Sequence, residues 1–227
     1  MTELEKLENR WNELVGKPRT KEEIEESLLL SKKLEIERAK EHQTLTYELS
    51  NIGIKITSIW DLVNTKVKYP TAIPILLKHL RLNYSDQVKE GIVRALIVKE
   101  AKGIATSALI AEYEKTPKEK DNLRWVIGYA IANTMTSQDV NWILNTVADK
   151  SNMWSRSQLV VALGTVKTQQ SEEMLISLLA DEQVLPQAIC ALGMLRSQKA
   201  KEKIIELNKS MNSLVRLEAS KALKKIG

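Results

Sequence analysis

The chain has 227 residues, 43% apolar and 28% charged, the balance of an ordinary globular protein long enough for a continuous core. No apolar run approaches the ~20 residues that cross a bilayer, and a single cysteine, Cys190, excludes an internal disulfide framework and fits a reducing cytoplasm. Of the net charge of +5, residues 1–50 carry 9 Lys and Arg against 12 Asp and Glu, which leaves 25 against 17 for the rest; an acidic leader precedes a basic body that permits a polyanionic partner without requiring one.

The opening MTELEKLENRW is charged throughout and lacks the apolar core of a secretory signal. Leu4, Leu7, Trp11 and Leu14 recur at a/d spacing and predict an amphipathic helix over 2–15, stopped by Gly16 and Pro18. Thr20 with Glu23 three residues on forms a capping box for the next helix. From 21 to 50 no breaker interrupts a Glu-, Lys- and Leu-rich run, which reads as one helix. Its apolar positions do not hold a strict heptad, so these N-terminal helices are expected to fold back on the body as a cap or lid rather than dimerise as a free coiled coil. Asn51 and Gly53 end that helix. Residues 58–68 supply one more, whose Trp60, Leu62 and Val63 are expected to plug the open end of the helical body beginning at Pro70.

From Pro70 the chain repeats. PTAIPILLKHLRLNYSDQVKEGIVRALI, residues 70–97, reads as two antiparallel helices, with Ile73, Leu76, Leu77 and Leu80 on one and Val88, Ile92, Ala95 and Leu96 on the other. Ser85 or Asp86 is placed to cap the second helix. An apolar pair then recurs at Ala95-Leu96, Ala130-Ile131, Ala162-Leu163, Ala191-Leu192 and Ala222-Leu223, a period near 32. Seven residues before each alanine stand Val88, Leu123, Ser155, Val184 and Val215; the next position reads Lys89, Arg124, Arg156, Leu185 and Arg216. A hairpin of this kind cannot bury its apolar stripe alone and needs neighbours, so five units predict an all-α fold: a right-handed α-solenoid of about five helix pairs over 69–227 with an N-terminal helical cap over 1–68.

These residues resemble the HEAT and HEAT-like (PBS-lyase-type) repeats. The first unit carries the pattern in Pro74, Leu76-Leu77, Leu80, Asp86, Val88-Lys89 and Ala95-Leu96, and VRLEASKALKKIG from Val215 is similar to the family's second helix. The likeness covers about 70–227. Leu185 departs from it by replacing the basic residue, and Pro186 falls in the first turn of its helix, where the missing N–H has no intrahelical partner. The resemblance implies a protein- or nucleic-acid-binding scaffold.

Chemistry-bearing residues are few. His42 and His79 offer little for a triad or a metal site; His79 reads as a polar face residue and Cys190 as a buried, inert thiol. LVGKPRT around Gly16-Lys17 lacks the earlier glycine of a phosphate loop. Neither catalytic residues, cofactor nor metal are therefore expected. In a stacked repeat, Lys89, Arg124, Arg156 and Arg216 would fall into one column about 10 Å apart. They could track phosphates or an acidic segment. The favoured alternative is that each bonds a carbonyl or acidic group of an adjacent turn, with Asp86 and Asp121 three residues before two of them; the resemblance, whose Arg and Asp form ladders between repeats, implies the same. Arg94, Tyr129 and Lys221 share a further column with Val161 and Cys190 and point away from the core stripe. Trp125 and Trp154 stand beside the cations, either gripping a partner or sealing a junction between repeats.

The expected function is a non-catalytic cytoplasmic scaffold that binds a macromolecular partner, an acidic or extended protein segment on the concave face. Nucleic-acid binding through the basic body is the alternative. HEAT-like DNA glycosylases supply a third reading, weakened because Tyr129, not an acid, stands one turn after Trp125.

Overall fold

The computed structural model describes residues 3–227, and among them every regular element is helical. The chain forms two compact units, Met1–Ala95 and Leu96–Gly227. The division expected at 68/69 falls inside the first of these, because Tyr69 donates its hydroxyl to the Ala95 carbonyl at 3.0 Å and the first repeat packs with the helices before it.

In the N-terminal unit, α1 (Glu3–Leu14) doubles back along α2 (Lys21–Glu41). Gly16, at φ 87°, turns the chain where a side chain would be strained. Arg10 grips Glu26 through two bonds of 2.7 and 2.8 Å, and Arg38 donates to Glu8 at 3.0 Å. The Thr20–Glu23 capping box forms as its spacing predicts.

The single helix expected over 21–50 is broken at His42, whose φ of −101° and ψ of 15° leave helical geometry, and α3 (Gln43–Asn51) follows. Leu30 and Leu34 of α2 are buried, as are Leu45 and Leu49 of α3; α2 packs on α1 and α3 packs on α5.

Next, α4 (Ile59–Asn64) opens with a Ser58–Asp61 capping box. The N–H groups of Ser58 and Thr57 hold the Asp61 carboxyl below its ordinary value. Helix α4 packs on α6 (Asp86–Ala95), with Ile59 and Leu62 buried between them; Trp60 remains half-buried. The partner of α6 in the first repeat is α5 (Ile73–Leu80). Ser85, expected as a cap, instead donates its hydroxyl to Glu41 at 2.7 Å. His79 is buried rather than surface-facing, with Nδ1 2.6 Å from the Tyr84 hydroxyl and Nε2 3.3 Å from Glu48.

The C-terminal unit contains four further helix pairs: α7 (Thr106–Lys115) with α8 (Asp121–Thr134), α9 (Val140–Ala148) with α10 (Ser157–Leu163), α11 (Gln169–Ser177) with α12 (Leu185–Leu195), and α13 (Lys201–Leu207) with α14 (Ser213–Ile226). The second helices pack side by side in chain order, α8 on α10, α10 on α12 and α12 on α14. The repeated anchors Leu123, Ser155, Val184 and Val215 are all buried, as are Ala130, Ala162, Ala191 and Ala222.

The recurring alanine has a packing reason. A Cβ on Gly164 would stand 2.7 Å from Cα of Ala191, and one on Gly193 would stand 2.7 Å from Cα of Ala222. Each glycine of one repeat thus receives the alanine of the next, and two backbones meet with no side chain between them. Gly193→Ala should therefore destabilise the protein by about 1–3 kcal/mol through overpacking, although alanine is the better helix former by ~1 kcal/mol. A lowered urea midpoint at unchanged slope would register the change.

Candidate functional site

The basic column is an internal feature for three of its four members. Lys89 is buried and donates Nζ to the carbonyls of Leu80 and Leu82, at 2.6 and 2.7 Å. Arg124 is buried and donates Nη1 to the carbonyls of Tyr113 and Thr116, both at 2.7 Å, while Nη2 reaches Asn152 Oδ1 at 2.7 Å. Its guanidinium also lies 4.0 Å over the Tyr113 ring, a favourable cation–π arrangement. Arg156 is 0% exposed. It donates to the carbonyl of Val147 at 2.7 Å, to Asp181 Oδ2 at 2.7 Å and to Gln183 Oε1 at 3.0 Å. Arg216 remains exposed, yet bonds the carbonyls of Ser210 and Met211 at 2.7 and 2.8 Å.

All four cations reach back to carbonyls at the end of the first helix of their own pair, or just beyond it. For Lys89, Arg124 and Arg156 these include carbonyls of the last helical turn, which have no intrahelical partner and carry the negative end of the helix dipole; for Arg216 they belong to the turn after α13. The heads of Lys89, Arg124 and Arg156 are thereby withdrawn from any partner. The acidic partner that spacing suggested for Arg124 is replaced: Arg124 bonds Asn152, and Asp121 accepts the backbone N–H of Ser155 at 3.0 Å. Ser155 is the one polar anchor because it joins this network, its hydroxyl lying 3.0 Å from that of Tyr113.

What the surface of the C-terminal unit does carry is aromatic. Trp125 and Tyr129, four residues apart on α8, share one face of the helix. Their ring centroids are 5.9 Å apart with planes at 12°, and the Trp154 ring lies 5.3 Å from that of Trp125 with planes at 5°. The half-buried Trp125 is the ring that both others neighbour in near-parallel planes, and it is oriented by an Nε1–H bond to Ser157 Oγ at 3.1 Å. Trp154 is 44% exposed and Tyr129 36%.

Trp154 follows Met153, whose φ of 49° and ψ of −138° fall where a side chain is strained, at a cost of about 1–3 kcal/mol. That backbone excursion, which sequence reasoning missed and no local residue type signals, interrupts the 3-10 turn Lys150–Arg156 just before Trp154. A fourth ring, Trp142, is used internally: it meets Tyr113 edge-on at 5.5 Å and donates Nε1–H to Glu114 at 2.8 Å.

Of the remaining candidates, Lys221 on α14 is exposed and ion-paired with Glu218 at 2.7 Å. Arg94, in the N-terminal unit, is half-buried and paired with Glu90 at 2.7 Å. Val161 and Cys190 occupy equivalent places on α10 and α12 and are half-buried, so Cys190 is less enclosed than its apolar neighbours suggested. Leu214 and Leu217 add exposed apolar surface on α14. Among the described residues no cluster of three or more His, Cys, Asp and Glu could hold a metal ion, and no helix is long and apolar enough to cross a membrane.

Two groupings invite a catalytic reading. In the chain Tyr84–His79–Glu48, burial and the carboxylates of Glu41 and Glu48 push the Tyr84 hydroxyl up, the wrong direction for a nucleophile. Asp121, one turn before Trp125, is held by the Ser155 N–H. No family model matches this chain, and neither does any curated protein.

The buried arginine and the half-buried thiol each have a measurable consequence. Arg156→Leu leaves Asp181 as an uncompensated buried charge and should cost roughly 3–5 kcal/mol, with part recovered in the double variant with Asp181→Leu; urea unfolding measures both, and a loss under ~1 kcal/mol would show that the column is not structural. The Cys190 thiol is pushed up, first by burial and then by Glu218. Its thiolate fraction at pH 8 is therefore below that of a free cysteine, and iodoacetamide alkylation should be slow there and still accelerating above pH 9.

Proposed function

We propose that this chain is a HEAT-like right-handed α-solenoid whose C-terminal unit is a non-catalytic binding module for an extended protein segment. The recurring helix pairs, their second helices packed in chain order and the glycine–alanine contacts support the solenoid reading. The observation that carries the function is the exposed three-ring stack of Tyr129, Trp125 and Trp154. Such a platform buries a large area at small entropic cost, because its rings are already held in place by one another.

The cations of the column are bonded to the protein's own carbonyls, so the partner's recognition rests on apolar and ring contacts rather than on acidity. An extended segment carrying proline, aromatic or arginine side chains fits that chemistry, since each can lie flat on an indole.

A second reading keeps the rings and changes the ligand. Stacked indoles accept the bases of single-stranded nucleic acid, each base–ring contact being worth about 1–3 kcal/mol, and the net charge of +5 would assist approach. It is the weaker reading because Arg124 and Arg156 point inward.

One experiment separates the two. A displayed peptide library is selected on the wild-type protein and counter-selected on Trp154→Ala, while labelled single-stranded and duplex DNA are titrated by anisotropy at several salt concentrations. The expected result is a peptide class bound by the wild type and weakened about thirtyfold or more by Trp154→Ala, as for a central aromatic anchor, with little change in unfolding midpoint. DNA binding that falls log-linearly with salt, without any such peptide class, would replace the protein ligand by nucleic acid.

A further inference from the structure

Helix α2 is apolar on two sides and covered on one. Ser27, Leu30 and Leu34 are buried on its inner side, where it packs on α1 and is tied to it by Arg10–Glu26 and Arg38–Glu8. At about 100° per residue, Leu28, Lys32 and Ile36 climb the side opposite Leu30 and Leu34, flanked by Glu25 and Leu29. Leu28, Leu29 and Ile36 are 61%, 56% and 57% exposed. Single aliphatic side chains on a surface are ordinary, whereas several along one helix face mark an interaction surface. A helix apolar on opposite sides packs on both, and the fold-back of α1 accounts for the inner side alone.

The charges around this stripe select its occupant. Glu22 and Glu25 precede the Leu28-Leu29 pair, and Lys32 and Lys33 follow it. Glu25 stands three residues before Leu28 and Lys32 three after Leu29, so the pattern is its own complement when reversed. A second copy of α2 laid antiparallel, with the two-fold axis between Leu28 and Leu29, sets Glu25 of each chain beside Lys32 of the other and brings the two leucine pairs together. A parallel pair would set Glu25 on Glu25 and Lys32 on Lys32, which repels. Both side chains are exposed, and among the described residues neither forms an ion pair within the chain.

We infer that this chain self-associates as a two-fold dimer through the outer face of α2. Leu28 and Leu29 lie at the centre of the interface, Ile36 lies toward each end, and reciprocal Glu25–Lys32 pairs set the antiparallel register. The interface uses no residue of the aromatic stack, so it stands or falls independently of the binding role proposed for those rings.

The test is sedimentation equilibrium of the full chain over about 1–100 μM. A monomer–dimer equilibrium is expected, approaching twice the chain mass at the upper end. Leu28→Glu should weaken dimerisation by about tenfold or more; its side chain is exposed, and thermal unfolding checks that the variant remains folded. Glu25→Lys and Lys32→Glu, each of which sets like charges side by side, should weaken it by about fivefold or more. The double variant carrying both changes restores opposite charges and should return to within about threefold of the wild type. A chain that stays monomeric throughout overturns the inference and leaves the face to a different protein. A dimer untouched by Leu28→Glu, or a double variant no tighter than either single one, overturns it too.

Discussion

The second helix of each pair but one is tied to the first by a cation that reaches back to carbonyls the first helix cannot satisfy. Lys89 does this to Leu80 and Leu82, Arg124 to Tyr113 and Thr116, Arg156 to Val147, and Arg216 to Ser210 and Met211. A turn between antiparallel helices places several carbonyls in a confined space, where an unpaired one costs about 1–3 kcal/mol. A long cationic side chain can satisfy two at once and is itself neutralised by the dipole it meets. Two of these cations also reach onward, Arg124 to Asn152 and Arg156 to Asp181 and Gln183, so the same group that closes one pair fixes the next. The exception is the pair α11–α12, where the apolar Leu185 takes the position.

This use of the basic residues decides what the surface can be. Groups that would have made a phosphate-tracking stripe are consumed in the fold, and the C-terminal unit exposes rings and aliphatic side chains in their place. The stack of Tyr129, Trp125 and Trp154 depends on the same architecture: α8 supplies two rings at i and i+4, and the turn before α10 supplies the third through the positive-φ excursion at Met153. A strained residue beside an exposed aromatic is unfavourable for the isolated protein, and the binding role proposed for these rings would account for its retention.

In the N-terminal unit the helix expected over 21–50 is interrupted at His42, which leaves helical geometry at φ −101° and ψ 15°. The imidazole is buried there, with Nε2 3.4 Å from the Thr57 carbonyl, and α3 beyond the break packs on α5.

Much of this was legible in sequence. The period near 32, the apolar anchors, the Ala-Leu pairs and the Thr20–Glu23 box all report interactions between residues close in the chain or repeated along it, and periodicity reveals these directly. The breadth of the helical fold and the inward alternative for the cations came from that pattern. Burial depends on what lies opposite, and there the chain alone falls short. Only the tertiary structure decided that Arg124 meets Asn152 rather than Asp121 and that His79 is enclosed by Tyr84 and Glu48. The same holds for the three rings, which come together from α8 and the turn before α10. Each of these is a meeting of residues about 5 to 50 positions apart in sequence, set by how helices turn against one another, and no spacing rule along a single chain encodes that angle.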